Sequence, residues 1–278
     1  MTTLEVLNAA TSYLEKHRVE SPRLNAEYLL AHVLKKRKRI DLYLEFEHPL
    51  GESERAPLRE LVKNRSKGIP LQHLLGTAEF CGHTFTCDAR ALIPRPETEQ
   101  LVELILKTSS AAKSFLDVGT GSGIIALTLA LALPMAHVSA CDLASDALAI
   151  AAENATRHDL HERVRLIKSD LLLEVPGDFE VIVANLPYIP SAEILNLSLE
   201  VQNDPLSALD GGPDGLVLVE RLIAESKSQL TTGGLLAMEI GHDQAGRVMA
   251  LLAANNYRDI EAHRDYQGVQ RFVLGRHG

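Results

Sequence analysis

Phe115-Leu-Asp-Val-Gly-Thr-Gly-Ser-Gly-Ile-Ile-Ala126 contains a short apolar run, three alternating glycines and a second apolar run. The first run, from Phe115 to Val118, predicts a buried strand, and the run from Ile124 predicts a helix. A strand that turns through glycines into a helix exposes backbone N–H groups at the helix N-terminus. Glycine also permits positive φ and lets a ligand approach the backbone closely. The stretch therefore predicts a ligand-binding turn at Gly119–Gly123.

A second run, Val138-Ser-Ala-Cys-Asp142, predicts a strand that ends in an acid. An acid in this position can accept hydrogen bonds from ribose hydroxyls. The glycine turn and Asp142 together indicate a nucleotide or nucleoside site, without separating a dinucleotide from S-adenosylmethionine. Gly119-Thr-Gly-Ser-Gly123 lacks the G-x-G-x-x-G spacing of dinucleotide-binding turns, which disfavours an NAD dehydrogenase.

Strand and helix patterns alternate from about residue 114, which predicts a parallel sheet with helices on both faces. Helices are predicted to begin near Ser122, Ser145, Asp214 and His242. The predicted strands are Ser114–Val118, Ala136–Cys141, Val164–Lys168, Glu180–Ala184 and Leu235–Ile240, followed by two runs near Ile260 and Phe272.

The first part of the chain has a different texture. Residues 1–72 show apolar residues at helical spacing and predict a small helical domain. Residues 73–92 contain two β-prone runs around a turn at Cys81-Gly82, which predict a hairpin linker. Residues 93–278 then form the predicted α/β domain.

The composition is that of an ordinary globular protein, with 46% hydrophobic and 23% charged residues among 278. The net charge of −9 gives no overall basic field for nucleic acid. No signal-peptide pattern or membrane-length apolar run is present, and neither Cys-x-x-Cys nor His-Glu-x-x-His indicates a metal site. Three cysteines cannot all pair with one another, so a reduced cytoplasm is expected.

The run Glu180–Ala184 is followed by Asn185-Leu-Pro-Tyr188. Ligands of open parallel sheets bind beyond the carboxyl ends of the strands, so Asn185 is expected on the same rim as the glycine turn and Asp142. The asparagine side-chain oxygen and a neighbouring backbone carbonyl can each accept one N–H of a planar amide or amine. Pro187 restricts the backbone, and Tyr188 can lie against a π-face. The motif therefore predicts a site that holds a planar –NH2 group facing an electrophile.

Asp117-Val-Gly-Thr-Gly-Ser-Gly123, Asp142 and Asn185-Leu-Pro-Tyr188 resemble the motifs of S-adenosylmethionine-dependent amino methyltransferases. More narrowly, the whole chain resembles the peptide chain release factor glutamine methyltransferases, the PrmC/HemK family. The glycine motif alone is common, whereas the order and spacing of the full set is specific. Besides the helical region and the hairpin, the stretches that carry the resemblance are Ile93-Pro-Arg-Pro-Glu-Thr-Glu99, Ala208-Leu-Asp-Gly-Gly-Pro-Asp-Gly-Leu216, Glu239-Ile-Gly-His-Asp-Gln244 and Asp265-Tyr-Gln-Gly-Val-Gln-Arg-Phe272.

The resemblance implies an α/β fold: a seven-stranded Rossmann-like methyltransferase sheet with a small N-terminal helical domain and a β-hairpin linker. It implies transfer of a methyl group from S-adenosylmethionine to the side-chain amide nitrogen (N5) of a glutamine. The cofactor product is S-adenosylhomocysteine. That glutamine would belong to the Gly-Gly-Gln motif of class I peptide chain release factors, with the helical domain recognising another part of the same protein. No direct nucleic acid or membrane partner is expected, and the chain is expected to be a cytoplasmic monomer.

The resemblance also assigns roles to residues of this chain. The expected catalytic residues are Asn185, Pro187 and Tyr188, and these three with Leu186 are expected to bind the substrate glutamine. Asp170 and Leu171 would lie near the adenine, where the family commonly has an aromatic residue and Leu171 offers apolar packing without stacking. No metal ligand is expected. The expected cofactor-binding residues are Gly119, Thr120, Gly121, Ser122, Gly123, Asp142, Asp170, Leu171 and Asn185.

One residue departs from the family pattern, which usually has Asn-Pro-Pro-Tyr. Leu186 replaces the first proline, but the implied role of that residue uses its backbone carbonyl, which leucine keeps. Asn-Leu-Pro-Tyr also resembles the motif of ribosomal RNA adenine-N6 dimethyltransferases, the alternative function. Those enzymes usually begin near their glycine motif and commonly carry basic surfaces, whereas here 118 residues precede Gly119 and the net charge is −9.

A third hypothesis is a non-catalytic module that binds S-adenosylmethionine or a nucleotide, and the intact Asn185, Pro187 and Tyr188 argue against it. Two further features allow two interpretations each. Arg95 either closes the cofactor site or lies on the surface. The basic run Lys35–Arg39 is typical of a solvated helix end, with contact to an acidic or phosphate-rich partner as the alternative.

Overall fold

The computed structural model describes residues 1–36 and 38–278. This described part divides into two compact units, of which the first comprises Met1–Thr77 with Ser198–Asn203 and the second comprises Ala78–Leu197 with Asp204–Gly278. The first unit thus includes a short segment from far along the chain, which no local sequence pattern predicts. The domain bounds 1–72, 73–92 and 93–278 remain a prediction.

The first unit is helical. Its core holds fully buried leucines such as Leu7, Leu29 and Leu58. The guanidinium of the buried Arg65 donates to Asn25 at 2.7 Å and also to Glu200, which ties the distant segment into this unit. The helices are α1 (Thr3–Lys16), α2 (Pro22–Val33), a 3-10 helix (Arg39–Leu44), α3 (Glu52–Arg65) and α4 (Leu71–Leu75).

The basic run Lys35–Arg39 forms ion pairs within the same unit. Lys36 pairs with Glu45 at 2.5 Å, and Arg39 pairs with the buried carboxylate of Glu27. Arg37 lies outside the described residues. The two observed pairs favour a role of the run in the unit's own structure over a free basic patch.

The hairpin is present where the sequence predicts it. It consists of β1 (Thr77–Phe80) and β2 (His83–Thr86). The turn between them is Cys81-Gly82, and both residues have positive φ, 47° and 76°.

Within the described residues, seven strands form one sheet in the order β5-β4-β3-β6-β7-β9-β8. The sheet is mixed, which corrects the expectation of a parallel sheet, because β9 runs antiparallel to both of its neighbours. A parallel pair needs a crossover of a dozen or more residues, and only residues 265–269 separate β8 from β9. The strands are β3 (Ser114–Val118), β4 (His137–Asp142), β5 (Val164–Lys168), β6 (Phe179–Asn185), β7 (Leu230–Glu239), β8 (Tyr257–Arg264) and β9 (Gln270–His277).

Helices cover both faces of the sheet. Successive strand residues face opposite sides, so Phe115 and Val183 belong to one core and Leu116 and Ile182 to the other. The first core includes residues of α5 (Pro96–Ser109), α6 (Ile124–Ala132) and α7 (Ser145–Arg157), and the second includes residues of α8 (Val217–Ser226) and α9 (Ala245–Ala254).

Three helices begin two or three residues later than predicted, at Ile124, Val217 and Ala245. The delay before α6 has a clear cause, since its N-cap Gly123 is in the left-handed conformation with φ 83°. Between β6 and α8 the chain forms short 3-10 helices at Ser191–Asn196, Val201–Asn203 and Leu206–Ala208. None of the described helices is long and apolar enough to cross a membrane.

Candidate active site

A cavity of about 400 Å³ lies at the carboxyl ends of β3, β4, β5 and β6. Its size suits a small-molecule ligand. Two of the residues with predicted roles, Gly123 and Tyr188, do not line it. Gly123 is the N-cap of α6, and the Tyr188 hydroxyl lies near Glu239 instead. Within 1–36 and 38–278, no group of three His, Cys, Asp or Glu side chains is placed to hold a metal ion. The predicted residues that line the cavity are Gly119, Thr120, Gly121, Ser122, Asp142, Asp170, Leu171, Asn185, Leu186 and Pro187.

The glycine turn is fixed by hydrogen bonds to β4. The amides of Gly119 and Thr120 both donate to the Cys141 carbonyl at 2.9 Å. The Gly121 amide donates to Asp142 Oδ2 at 2.9 Å, and the other Asp142 oxygen accepts from the Ala144 amide at 2.8 Å. Asp142 therefore lies on the cavity wall and also shapes the glycine turn, which the sequence predicts to bind the ligand.

Asp117 belongs to the glycine motif, but no separate role was predicted for it from the sequence. It is buried, and its Oδ2 accepts from Thr120 Oγ1 at 2.6 Å and from the Ala126 amide at 3.1 Å. Burial is the main cause that raises the pKa of Asp117 to about 7. Among the described residues neither Asp117 Oδ1 nor Ser122 Oγ has a hydrogen-bond partner. Buried polar atoms are normally satisfied, and of these two residues Ser122 lines the cavity, so its hydroxyl is available to a ligand.

We expect Asp142→Ala to weaken S-adenosylmethionine binding by about 10–150-fold, because hydrogen bonds to a charged group contribute about 1.5–3 kcal/mol. Isothermal titration of the purified variant measures this effect. Asp146→Ala is a matched control, since Asp146 is an exposed acid in the first turn of α7. Unchanged affinity of Asp142→Ala would refute its assignment to the ribose.

Asn185 ends β6 and lies beside Glu239, the last residue of the parallel strand β7. Its Nδ2 donates to Thr98 Oγ1 at 3.1 Å, and the Thr98 hydroxyl donates to Glu239 Oε2 at 2.7 Å. Thr98 and Glu239 are both buried. Sequence reasoning gave neither residue a role. The sequence features that could have indicated them are that Glu239 is an acid at the end of a strand on the same rim and that Thr98 lies in the first turn of α5.

Two stretches, residues 208–216 and 239–244, hold the backbone after Asn185. From the sequence they were predicted only to carry the family resemblance. The side chain of Gln244 donates to the carbonyls of Tyr188 and Gly215 at 3.0 and 3.3 Å. A Cβ on Gly211 would lie 2.7 Å from the Pro187 carbonyl oxygen, and one on Gly215 would overlap the Tyr188 carbonyl. Residues 208–216 and 239–244 thus form the support on which residues 186–188 lie.

Tyr188 is a neutral phenol at this site. Its hydroxyl lies 3.5 Å from Glu239 Oε1. Burial, followed by the nearby Glu239 charge, raises the pKa of Tyr188 to about 12. The phenol therefore keeps its proton at neutral pH and cannot act as a general base there.

Leu186, the departure from the family pattern, packs against the glycine turn. Its side chain is buried, and its Cδ2 lies 2.8 Å from the position that a Cβ on Gly119 would take. Leucine at this position thus connects the predicted substrate motif to the predicted cofactor turn, where Gly119 has φ 70°.

Arg95 lies on the cavity wall, where it pairs with the buried carboxylate of Asp204 at 2.6 Å. The same carboxylate accepts from the Ile93 amide at 3.2 Å, so the proline-containing linker is anchored on both sides. Asp170, also on the wall, accepts from Arg221 at 3.0 Å. These pairs hold Arg95 and Asp170 in place on the cavity wall.

The sheet order with one reversed strand, and the glycine turn and acid on its rim, define a Rossmann-like methyltransferase. In keeping with this class, a methyltransferase from Pyrococcus furiosus is similar in fold, with a TM-score of 0.55 and 19% identity over 70% of this chain and 88% of that one. A 16S rRNA methyltransferase from Thermus thermophilus, in complex with AdoMet and guanosine, is similar with a TM-score of 0.51 and 15% identity over 72% of this chain and 49% of that one.

The chain belongs to the release factor glutamine methyltransferase family. The relative of that name from Geobacter sulfurreducens is 40% identical over 100% of this chain and 97% of its own length. The one from Chlorobaculum tepidum is 38% identical over 97% and 95%. Two family profiles match as well: the PrmC N-terminal domain over residues 5–76 and the methyltransferase small domain over residues 96–200.

Proposed function

We propose that this chain transfers the methyl group of S-adenosylmethionine to the N5 amide nitrogen of the glutamine in the Gly-Gly-Gln motif of class I release factors. The observation that carries the proposal is full-length similarity to release factor glutamine methyltransferases, at 38–40% identity. The cavity at Asn185 supports it, because that residue offers an amide oxygen beside a rigid backbone turn.

The residues of the cavity fit S-adenosylmethionine. Asp142 would accept from the ribose hydroxyls, Asp170 and Leu171 would lie near the adenine, and the unpartnered Ser122 Oγ suits the polar end of the cofactor. The glycine turn, residues 119–123, lets a ligand approach the backbone. The bound sulfonium would supply an electrophilic methyl group, and the reaction would release S-adenosylhomocysteine and one proton from the amide nitrogen.

The substrate amide would be held by Asn185 and by the Leu186 carbonyl. An amide nitrogen is a weak nucleophile because its lone pair is delocalised, so orientation matters and can contribute several kcal/mol. Two acceptors that bind both N–H groups also stabilise the positive charge that develops on the nitrogen. Pro187 limits the backbone of this turn, and the Tyr188 carbonyl anchors it by accepting from Gln244.

The first 77 residues support a protein substrate, because they match the PrmC N-terminal domain and form a unit with a core of its own. We propose that this unit recognises a part of the release factor away from the Gly-Gly-Gln loop. A monomer in the cytoplasm is the form in which we expect the enzyme to act. The net charge of −9 fits a protein partner better than ribosomal RNA, whose binding relies on cations that neutralise phosphates.

Methyl transfer with radiolabelled S-adenosylmethionine tests the substrate. We expect label in a purified class I release factor and none when its loop glutamine is replaced by alanine, because the accepting nitrogen is then absent. Ribosomal RNA in a parallel reaction serves as the control for the alternative. Label that enters the RNA and never the release factor would replace this proposal by an RNA adenine methyltransferase.

A further inference from the structure

Thr98 and Glu239 are buried next to Asn185 and are linked to it by hydrogen bonds. Glu239 is 1% exposed, as is Thr98. The Thr98 Oγ1 lies 2.7 Å from Glu239 Oε2 and 3.1 Å from Asn185 Nδ2. Asn185 lines the cavity, whereas Thr98 reaches it from α5 and Glu239 contacts Asn185 from the neighbouring strand. The three side chains form one hydrogen-bonded chain that ends at the cavity, and Asn185 also makes a direct side-chain hydrogen bond to Glu239.

The direction of this chain follows from the chemistry of its members. An ionised carboxylate can only accept hydrogen bonds, and a hydroxyl has one proton to donate. The Thr98 proton is therefore committed to Glu239, so the remaining lone pairs of Thr98 accept from Asn185. Only the –NH2 end of the Asn185 amide can satisfy that requirement. The amide oxygen of Asn185 is consequently the end that is left for a ligand.

We propose that Thr98 and Glu239 are positioning residues, which fix the Asn185 amide so that its oxygen accepts an N–H of the target glutamine. This inference rests on the proposed function for its substrate. It explains how an asparagine, whose two amide ends have nearly the same shape, presents an acceptor rather than a donor to a substrate –NH2 group. The opposite orientation would place two –NH2 groups against each other.

The same chain responds to a proton on Glu239. A protonated carboxyl can donate to Thr98, whose proton is then free to reach the Asn185 oxygen, and the amide reverses. The charged and titratable groups that face Glu239 are Glu97 on α5, Tyr188 after β6 and Arg271 on β9. Burial is the largest influence, and it raises the pKa of Glu239 to about 7, against the lowering effects of Arg271 and of the hydrogen bonds from Thr98 and Asn185.

The sign of the pH effect separates positioning from stability. Because the ionised form sets the active orientation, turnover should fall as the pH drops through about 7. The contribution of Glu239 to stability has the opposite pH dependence. Because the pKa of this carboxyl is raised in the folded state, its contribution to stability is fully present below the unfolded pKa and is lost as the pH rises through about 7. A loss of activity at low pH is therefore not a loss of the fold through Glu239.

Steady-state kinetics with release factor tests the positioning role. Thr98→Val keeps the shape and removes the hydroxyl, and we expect kcat to fall by about 10–100-fold with cofactor affinity retained. Thr98→Ser should restore most of the turnover. Thr108→Val is the matched control in the same helix, since Thr108 is exposed and donates to the Leu104 carbonyl of α5. Parental kcat in Thr98→Val would overturn the inference.

Glu239→Gln tests the proton dependence. In the parent we expect kcat to fall on the acid side with a midpoint near pH 7, and in Glu239→Gln this limb should disappear because the side chain no longer ionises. Retention of the same acid limb in the variant would overturn the role of Glu239.

A measurement without substrate keeps this test independent of the proposed function. The side-chain amide resonance of Asn185, identified by its absence from Asn185→Ala, should shift with a midpoint near pH 7 in the parent and stay constant in Glu239→Gln. If the resonance shows no pH dependence in the parent, the inference fails even where release factor is methylated. If the resonance titrates and release factor gains no methyl group, the proposed substrate is wrong and the positioning role stands.

Discussion

Asn185→Ala should lower methyl transfer to release factor by about 10²–10³-fold, by analogy with the loss of one preorganised oxyanion-hole donor. The amide oxygen of Asn185 is the acceptor that we assign to the substrate, and its –NH2 end is bound by Thr98 at 3.1 Å. Alanine removes the acceptor and leaves the turn at Pro187–Tyr188 in place, because that turn is held through its backbone by Gln244. The measurement is kcat under saturating cofactor.

Cofactor affinity distinguishes this result from damage to the whole cavity. Isothermal titration should give nearly the parental affinity for S-adenosylmethionine, since the glycine turn and Asp142 bind each other without Asn185. Asn255→Ala is a matched control, because Asn255 is the C-cap of α9 and its side-chain amide donates to the Leu251 carbonyl of that helix. Near-parental turnover of Asn185→Ala would contradict the assignment of the substrate amide.

The order of strands and helices from residue 114 onward was predictable because it depends on local patterns. Ser114–Val118 and Val164–Lys168 are strands with the predicted bounds. The direction of β9 was not predictable from apolar periodicity, which is the same in parallel and antiparallel strands. Only the short connection at residues 265–269 decides it, and there the Asp265 amide donates to the Val269 carbonyl in a tight turn.

The cavity wall was predictable where a motif follows a strand, as at Asn185 and Asp142. It was not predictable where a residue acts from an element distant in sequence. Thr98 is 87 positions from Asn185, and Glu239 is 141 from Thr98. Their contact depends on the register of β6 with β7 and on the packing of α5, which no local pattern specifies. The glycines at 211 and 215 belong to the same class, since their neighbours are backbone atoms of residues 187 and 188.

Gly215→Ala should lower kcat by about 10²-fold, which is the effect of a displacement of about 1 Å at a reacting group. Gly215 has φ 75°, a conformation that costs an ordinary residue about 1–3 kcal/mol. The added Cβ would overlap the Tyr188 carbonyl and lie 2.7 Å from Gln244 Nε2. It therefore pushes on the two groups that hold the turn after Asn185. The measurement is kcat for release factor, taken well below the melting temperature of the variant.

Gly246→Ala is the matched control for this substitution. A Cβ on Gly246 would meet nothing within 4 Å, and the residue lies in the first turn of α9. Alanine is favoured over glycine in a helix by about 0.5–1 kcal/mol, so this control should keep parental turnover and melt no lower than the parent. Gly215→Ala should melt lower and still bind S-adenosylmethionine, because Gly215 is not on the cavity wall. Parental kcat in Gly215→Ala would show that the position of the Tyr188 carbonyl does not limit the reaction.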